Sequence, residues 1–473
     1  MALVVRATFS SSMALWFRLC TAKQYNSGMP LKPYCKMANE EKLDLSPCRG
    51  CRDFLPEEKL LRDSVQCKLE TVFRSFGFNP LETPALERLE VLSSKYAGGS
   101  EILKETYRFN DQGGRELALR YDLTVSMSRV VAGNPSLALP FKRYQIASVW
   151  RDGPIKLGRY REFVQCDVDT VGAAGGIADA EVIAVACAAL DALGFSYEVR
   201  VNNRRLLNGV LEWAGVEAEQ RDGAVLAIDK LAKIGRENVE KELLGERGVS
   251  VASTKKIMQF LALAEGNVDF VLEELSRLLS KFKDGAAGIT ELMEVLDYLE
   301  SFGVRDKVVF DASLARGLSY YTGTVFEGFL KNSSIKGSIC GGGRYDGLVG
   351  ALSGKPLPAV GISLGMDVIM EALKERGSAS NRSVVRVFVA PIKSLDAGIK
   401  VSQKLREGGV NVALDLLERS VSKNLDYASK QGIPFVAIVG PREAKENKLT
   451  LRNMKDGSEK TLSVEEAIAR LAD

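Results

Sequence analysis

The chain has 473 residues, too many for one ordinary domain, so two to four domains are expected. Hydrophobic residues make up 46% and charged residues 26%, which is typical of a globular protein, and no apolar run approaches the ~18 residues that a membrane-spanning helix needs. The formal net charge of +3 is too small for the whole protein to attract nucleic acid through a strong positive electrostatic field. Any binding of nucleic acid would therefore use local basic patches.

Histidine is absent from the sequence. Its absence excludes a Ser-His-Asp triad, a His-ligated metal and an imidazole general base. Among the eight cysteines only Cys48 and Cys51 form a C-x-x-C motif, and no second pair completes a zinc tetrahedron. No metal site made by protein side chains is therefore predicted, and the cysteine pattern fits a reducing compartment.

The first 39 residues contain no acidic side chain, but they carry Arg6, Arg18, Lys23, Lys32 and Lys36. Acid-poor leaders that contain Arg and Ser are typical of import into an organelle. Residues 1–46 are therefore predicted to be a targeting leader and flexible N-terminus, for a mitochondrion or plastid. Met29 and Met37 are later start positions that would give a cytoplasmic form, and a disordered tail without a targeting role is the alternative.

Beyond the leader, Pro56 marks the start of a predicted helix, in which apolar residues recur at helical spacing over residues 57–76. An extended segment follows, and residues from about 80 to 200 are predicted to alternate strands with turns. Residues from about 215 to 305 are predicted to form several helices. Strand and glycine signals return from about 308 to 365, and the polar stretch at 377–382 is predicted to be a linker.

The last ninety or so residues have a different pattern of predicted elements. Strands predicted at 385–389, 410–414 and 435–439 alternate with helices near 396–407 and 421–431. This alternation indicates a small, largely parallel α/β domain. Because it contains no glycine-rich phosphate loop, docking is a better prediction for it than chemistry.

The segment from Arg161 to Asp169 has the clearest chemical pattern. In a strand alternate residues share a face, so Val164, Cys166 and Val168 form an ordinary core face. The other face carries a cation, an aromatic ring, an amide and two carboxylates: Arg161, Phe163, Gln165, Asp167 and Asp169. Such groups are costly to bury without ligands, so this face is predicted to line a binding site. A solvated sheet face is the alternative.

Arginines cluster around the loop between this strand and the preceding one. Arg151 ends the preceding strand, and Arg159 and Arg161 follow the loop. Clustered guanidinium groups repel one another unless they share an anion, which is most often phosphate. A phosphate-binding site is therefore predicted at this loop.

Two further motifs flank this region in the chain. Upstream, Asp122 and Thr124 are predicted to share a strand face, as a site for a substrate ammonium group needs; a structural turn is the alternative. Downstream, Arg316 lies at a predicted turn just before paired tyrosines, and three glycines at 341–343 follow a predicted strand. Glycines let a backbone pass close to a flat ligand, although tight turns use the same residues.

In this order the motifs resemble those of class II aminoacyl-tRNA synthetases, and of the histidyl-tRNA synthetase family in particular. Residues 314–323 and 341–346 look like the two histidine-specific signatures, and 158–163 looks like the second class II motif. The helix at 57–76 with the strand after it is similar to the first motif, which builds the dimer interface in the family. Residues 360–374 fall where the third motif belongs.

The resemblance implies an α+β catalytic domain on a mostly antiparallel sheet over residues 47–376, with a helical insertion at about 215–305. It also implies that residues 384–473 form a small α/β anticodon-binding-like domain. The implied reaction is ATP-dependent activation of L-histidine to histidyl-adenylate, then transfer to tRNA(His) with release of AMP and pyrophosphate. The resemblance further implies a homodimer that uses ATP with Mg²⁺ and binds L-histidine and tRNA(His). No membrane partner is implied.

The residues that the resemblance implies for the amino acid are Asp122, Thr124, Gln165, Asp169, Tyr320 and Tyr321. The first three would bind the ammonium group, Asp169 and Tyr321 would contact the imidazole nitrogens, and Tyr320 would form the pocket wall. The ATP-binding residues are Arg151, Arg159, Arg161, Phe163 and Arg316. Phe163 would stack on adenine, Arg151 would bind the phosphates, and Arg316 would stabilise charge at the α-phosphate. Arg316, Arg151 and Gln165 form the implied catalytic set.

Two positions depart from the family pattern. Val368 stands where the third motif has an arginine that contacts adenine and the terminal phosphates, and Ser319 stands where an acid normally precedes the tyrosine pair. Valine neither binds phosphate nor stacks as a cation, so weakened ATP affinity or takeover by another residue, such as Arg344, is expected. The alternative function is a catalytically weak paralogue that acts as a regulatory or RNA-binding module.

Overall fold

The computed structural model describes residues 43–93, 103–156, 158–263, 268–316, 320–377 and 382–471. Three predictions fall wholly or partly outside these ranges. They concern residues 1–42 of the leader, residues 317–319 of the arginine–tyrosine motif, which include Ser319, and residues 378–381 of the linker.

The helices before the linker begin with one whose first residue is Pro56. Proline's fixed φ angle suits the first helical turn, and Glu57 and Glu58 favour the positive end of the helix dipole. The helices are α1 (Pro56–Ser75), α2 (Leu89–Leu92), α3 (Thr124–Gly133), α4 (Gly176–Ala192), α5 (Arg204–Ala214), α6 (Ala218–Ile228), α7 (Leu231–Ile234), α8 (Arg236–Leu244), α9 (Val251–Leu263), α10 (Val268–Leu279), α11 (Lys283–Ser301), α12 (Asp346–Ser353) and α13 (Met366–Glu375). The predicted run of helices from about 215 to 305 is confirmed, and it begins earlier, at α5.

The strands of this region form two sheets. In chain order they are β1 (Asn79–Pro80), β2 (Leu86–Arg88), β3 (Arg108–Asn110), β4 (Glu116–Leu119), β5 (Phe141–Trp150), β6 (Glu162–Val171), β7 (Tyr197–Asn203), β8 (Val308–Phe310), β9 (Thr324–Leu330), β10 (Cys340–Arg344) and β11 (Ala359–Gly365). Eight strands pair in the order β1-β5-β6-β11-β10-β9-β7-β8, and β2-β4-β3 form a small separate sheet. Only the two outer pairs of the large sheet, β1 with β5 and β7 with β8, are parallel. The predicted mostly antiparallel sheet is confirmed.

The core of this region lies between the large sheet and the helices that cover it. Helix α4 is buried along most of its length, and Leu69 and Phe73 of α1 join the same hydrophobic cluster. The strand-and-turn prediction for residues 80–200 is wrong at α3, and it is also wrong at α4. This helix is apolar on all sides, so it lacks the amphipathic period by which a surface helix is recognised.

The C-terminal region has its own five-stranded sheet. Its strands are β12 (Val387–Pro391), β13 (Val412–Leu414), β14 (Phe435–Val439), β15 (Lys448–Asn453) and β16 (Glu459–Ser463), in the order β13-β12-β14-β15-β16. Its helices are α14 (Leu395–Glu407), α15 (Val421–Lys430), α16 (Pro441–Glu446) and α17 (Val464–Leu471). The first three strands are parallel as predicted, and β15 and β16 add an antiparallel hairpin. Two hydrophobic clusters of its own fill this domain.

Within the described ranges, none of the helices combines the length and the apolar composition that crossing a membrane requires.

Candidate active site

A cavity of about 280 Å³, called here the inner cavity, opens beside β6 in the large sheet. Its walls contain nine of the predicted site residues: Asp122, Thr124, Arg151, Phe163, Gln165, Asp169, Arg316, Tyr320 and Tyr321. These residues come from four separate parts of the chain. The fold therefore brings together motifs that the sequence predicted one at a time.

The alternation predicted along β6 is confirmed. Phe163, Gln165, Asp167 and Asp169 line the inner cavity, while Cys166 and Val168 are fully buried on the opposite face, in the main hydrophobic core. The face rich in polar groups is thus a cavity wall and not a solvated surface.

The element that carries Asp122 and Thr124 differs from the prediction. They lie at the start of helix α3, where Asp122 Oδ1 accepts a hydrogen bond from the Val125 backbone N–H at 2.9 Å. Both still line the inner cavity, because the helix start points its first turn at the site. The pKa of Asp122 is above its ordinary value, because burial raises it by more than the backbone hydrogen bonds and nearby arginines lower it.

Asp169 is held by two neighbours that sequence reasoning missed. Its Oδ2 lies 2.7 Å from Nη2 of Arg143, a fully buried guanidinium, and the Tyr345 hydroxyl donates a hydrogen bond to its Oδ1. The pKa of Asp169 is above its ordinary value, because burial raises it by more than Arg143 and Tyr345 lower it. The adjacent strand β11 can pass this carboxylate only as glycine, because a Cβ on Gly361 would overlap Asp169 Oδ1.

Arg316 enters the inner cavity from a backbone with φ of +45°, which is unusual for a residue other than glycine. Its Nη1 donates to the Phe326 carbonyl at 3.2 Å, and its guanidinium carbon lies 5.3 Å from the centre of the Tyr321 ring. A Cβ at Gly341 would overlap the guanidinium. The predicted glycine run is thus needed for Arg316, and it forms strand β10 itself instead of following a strand.

A second cavity of about 1000 Å³, called here the outer cavity, shares Arg151 and Phe163 with the inner one. The Arg151 guanidinium carbon lies 4.2 Å from the Tyr121 ring centre and 5.0 Å from that of Phe163. The wall of the outer cavity has more cations than carboxylates. The cations are Arg151, Lys156, Arg159, Arg200, Lys233 and Lys336, and the carboxylates are Asp229, Asp311, Glu327 and Asp367. Such a wall suits a large anion, so the predicted phosphate site has a physical counterpart here.

Arg161 departs from the predicted convergence of arginines. It lines neither cavity, its Nη2 lies 2.9 Å from Asp152 Oδ1, and its side chain packs on Gly50. In this structure Arg161 fixes the base of the loop, whereas Arg151 and Arg159 face the outer cavity.

Val368 lies in the wall of the outer cavity. Its Cγ2 is close to the loop at Gly158, where an added Cβ would be 3.6 Å away. Arg344, the replacement cation considered from the sequence, is directed elsewhere: its Nε lies 3.1 Å from both carboxylate oxygens of Asp179. Arg344 therefore does not replace the missing arginine.

Some cavity residues that the prediction missed had a signal in the sequence, and others had none. Asp167 was on the predicted polar face of β6, although no role was assigned to it. Ser363 reaches the cavity, and Arg143 reaches Asp169, because β11 and β5 pair with β6, a register that no local motif reveals. Tyr345 follows β10, which pairs with β11, and it lies within the 341–346 motif, although no role was assigned to it. In the described part of the chain, no three Cys, Asp or Glu side chains cluster closely enough to hold a metal ion.

The pKa of Asp167 is raised to about 7. Burial is the largest cause and the neighbouring Asp169 also raises the pKa, while Arg143 lowers it. Between pH 3.8 and 7 the folded state therefore holds this proton more tightly than the unfolded state. Stability from this group is complete below pH 3.8 and is lost as the pH rises through 7. We expect Asp167→Asn without substrate to melt a few degrees above wild type at pH 8, with the gap closing toward pH 4 in a calorimetric pH series.

The matched control is Asp415→Asn in the C-terminal domain. Asp415 is equally buried, but its carboxylate accepts backbone hydrogen bonds from Leu417 and Arg419, so the same substitution should lower stability at pH 8. A lower melting temperature for Asp167→Asn than for wild type at pH 8 would contradict the expectation.

Comparison with known proteins adds the family. A family model described as histidyl-tRNA synthetase matches residues 50–369 of the chain. The chain belongs to the histidyl-tRNA synthetase family. A second family model, described as an anticodon binding domain, matches residues 386–473. The predicted resemblance is therefore confirmed.

Individual relatives agree with this assignment. The chain is 43% identical over 426 residues to histidine–tRNA ligase 1 of Bacillus cereus, covering 88% of this chain and 97% of that protein. It is 43% identical over 432 residues to histidine–tRNA ligase of Aeropyrum pernix, covering 89% and 96%. The crystal structure of histidyl-tRNA synthetase from Nostoc sp. PCC 7120 matches with a TM-score of 0.80 at 34% identity, covering 91% and 100%.

A Bacillus halodurans C structure, described as an ATP phosphoribosyltransferase regulatory subunit/histidyl-tRNA synthetase, matches with a TM-score of 0.70 at 25% identity. It covers 85% of this chain and 99% of that one. Together these matches confirm the predicted fold class, a catalytic domain on a large mixed sheet with a C-terminal anticodon-binding domain.

Proposed function

We propose that this protein uses ATP to activate L-histidine as histidyl-adenylate and then transfers the histidyl group to tRNA(His), releasing AMP and pyrophosphate. The observation that carries the proposal is a pair of joined cavities. The inner one has the size of an amino acid and contains buried carboxylates, and the outer one is larger and rich in cations. An amino acid in the first would meet a nucleotide in the second beside Arg151 and Phe163.

The chemistry suits a chain without histidine. An amino-acid carboxylate is ionised at neutral pH, so its attack on the α-phosphate needs alignment and charge compensation instead of a general base. Arg151, which the two cavities share, and Arg316 in the inner cavity supply positive charge, and Gln165 and the start of α3 hold the amino acid. Phe163 offers its ring to adenine, and Arg159 extends the cationic wall toward the outer phosphates.

Histidine is selected by Asp169, with Tyr320 and Tyr321 in the same wall. The Asp169 carboxylate is buried and polarised by Arg143 and Tyr345, so an amino acid that cannot hydrogen-bond to it leaves it unsatisfied. A site of this kind rejects analogues that lack the matching group by large factors, about 10⁴ where several polar contacts are lost.

ATP is expected to enter with Mg²⁺, which neutralises phosphate charge when bound. Glu327 would hold it, since its side chain is in the outer cavity wall with a carboxylate oxygen 3.7 Å from Arg316 Nε. Burial raises the pKa of Glu327, as expected of a carboxylate whose charge is only partly compensated by the protein.

The C-terminal domain, assigned to residues 384–473, is proposed to bind the anticodon, and the helical insertion within the catalytic domain at 47–376 to contact the acceptor arm. A homodimer formed through α1 and the strand after it completes the proposal.

The acid-free N-terminal segment is proposed to direct the chain to a mitochondrion or plastid, with a cytoplasmic form from a later methionine. The composition of residues 1–39 supports this proposal. Import of a fluorescent reporter fused to residues 1–46 tests it, and a reporter that stays in the cytoplasm would contradict it.

The deciding experiment is amino-acid-dependent ATP–pyrophosphate exchange on the full chain, with all twenty amino acids tested separately. Exchange with histidine alone is expected, because of Asp169. Folded protein that binds histidine without any exchange would favour the alternative, a paralogue with a regulatory or RNA-binding role. That result would point to Val368 as the lesion in ATP use.

A further inference from the structure

Apart from Asp169 Oδ2, which lies 2.7 Å from Arg143 Nη2, two acceptor oxygens of residues in the inner cavity wall have no hydrogen-bond donor among the described residues. They are Asp167 Oδ1 and Gln165 Oε1, on the cavity face of β6. Asp167 is only 2% exposed. A buried acceptor without a donor is costly, and more so for a carboxylate. Two such oxygens in the wall of one cavity indicate that a ligand supplies the donors.

Ser363 of β11 links these two side chains. It lies directly opposite Asp167 in the strand register, and its hydroxyl accepts a hydrogen bond from Gln165 Nε2 at 3.0 Å. The same hydroxyl is a neighbour of the Asp167 side chain and lowers the pKa of Asp167. Because a hydroxyl has one proton, Ser363 accepts from Gln165 and has that proton left for Asp167. Gln165 Oε1 and Asp167 Oδ1 remain without a donor, so both are available to a ligand.

The neighbouring acid is committed differently. Asp169 is paired with Arg143 and accepts from the Tyr345 hydroxyl, at the end of the face away from Gln165. Asp167 also feels the charges of Arg143 and Asp169, but it lies opposite Ser363, which accepts a hydrogen bond from Gln165. Asp122 at the start of α3 raises the pKa of Asp167 as well. Asp167 thus belongs with the groups expected to hold the ammonium end of the substrate.

The number and charge of the missing donors favour an ammonium group. An ammonium has three N–H donors and a full positive charge, so it can satisfy Asp167, Gln165 and a third acceptor at once. A neutral imidazole has a single N–H donor and no net charge. It could not satisfy both oxygens and still contact Asp169.

We propose that Asp167 binds the α-ammonium group of the histidine substrate, beside Gln165. The proposal rests on the proposed function, since it names a contact within that site. It makes Asp167 a specificity-determining residue that distinguishes an amino acid from the corresponding acid without its amino group.

The test compares two ligands on the full chain by isothermal titration calorimetry at neutral pH. Histidinol keeps the ammonium and imidazole groups, and 3-(imidazol-4-yl)propionate keeps the imidazole and carboxylate but has no ammonium. In Asp167→Asn we expect histidinol to bind about 10-fold to 100-fold more weakly than in wild type, as for a lost charge-assisted hydrogen bond. Binding of the propionate should change less than about twofold, because it makes no ammonium contact.

Ser363→Ala is the second variant. It keeps the Asp167 carboxylate and the ligand's ammonium group but removes the hydroxyl that lies beside Asp167 and Gln165. It should weaken the binding of histidinol, but not that of the propionate, and by a smaller factor than Asp167→Asn. Asp415→Asn is the matched control and should change neither affinity. Equal weakening of both ligands in Asp167→Asn, or no change in either, would overturn the proposal. Failure of wild-type protein to bind histidinol or to exchange pyrophosphate would instead count against the proposed function.

Discussion

Replacing Arg316 by alanine is expected to lower the rate of histidine-dependent pyrophosphate exchange by about 10²- to 10³-fold, the usual loss when one donor to a developing charge is removed. The guanidinium is held in the inner cavity by the Phe326 carbonyl and lies against the Tyr321 ring. Its place at the reacting centre should make the effect fall on the turnover number, with little change in histidine affinity. Steady-state exchange kinetics measure both quantities.

Gly341→Ala offers an independent check on the same group. It leaves the arginine in the sequence, but its Cβ would overlap the guanidinium and push it from its position. The rate should therefore fall in both variants, while circular dichroism stays that of the wild type. A turnover number unchanged in Arg316→Ala would remove Arg316 from the proposed mechanism.

Asp169→Asn is expected to destabilise the protein as well as the substrate complex. Arg143 is fully buried and has only the Leu123 carbonyl, at 3.4 Å, as a hydrogen-bond acceptor among the described residues. Removing the charge of its partner leaves an incompletely compensated buried cation, which costs about 3 kcal/mol in the free energy of unfolding when nearby acids compensate in part. Urea unfolding measures this loss.

The same variant should require far more histidine for pyrophosphate exchange, because the proposed imidazole contact has lost its charge. Tyr345→Phe is the matched comparison. It removes one neutral donor to Asp169 but keeps the ion pair, so it should cost only about 1 kcal/mol. If Asp169→Asn were no less stable than Tyr345→Phe, the Arg143 pair would not be a major source of stability.

Local patterns in the sequence predicted the parts of the site that lie on one element. The alternation along β6 predicts which side chains face the cavity, since a strand has a period of two whatever surrounds it. Three C-terminal strands and two helices were predicted to within two residues for a similar reason, whereas β15, β16, α16 and α17 were not predicted. Each of the predicted elements has a regular apolar pattern of its own.

The errors have physical causes in tertiary structure. Helix α4 was missed because it is buried on all sides, and Asp122 was assigned to a strand because a short polar segment has the same pattern at a helix start. Arg161 was grouped with Arg151, but the loop between them turns its side chain back onto Asp152. Register, which brings Tyr345 and Ser363 to the cavity, is set by strand pairing and cannot be found from either strand alone.

Strand β6 carries both the ring proposed to stack on adenine and the carboxylate proposed to select histidine. Phe163 and Asp169 are six residues apart on one face, about 20 Å along an extended chain held by neighbours on both sides. Such a strand fixes the distance between the nucleotide and the tip of the amino acid. An amino acid of another length would place its carboxylate at the wrong distance from the α-phosphate, so selectivity is coupled to rate. A change of substrate would require exchanges of side chains along β6, because the backbone of a strand paired on both sides cannot shift.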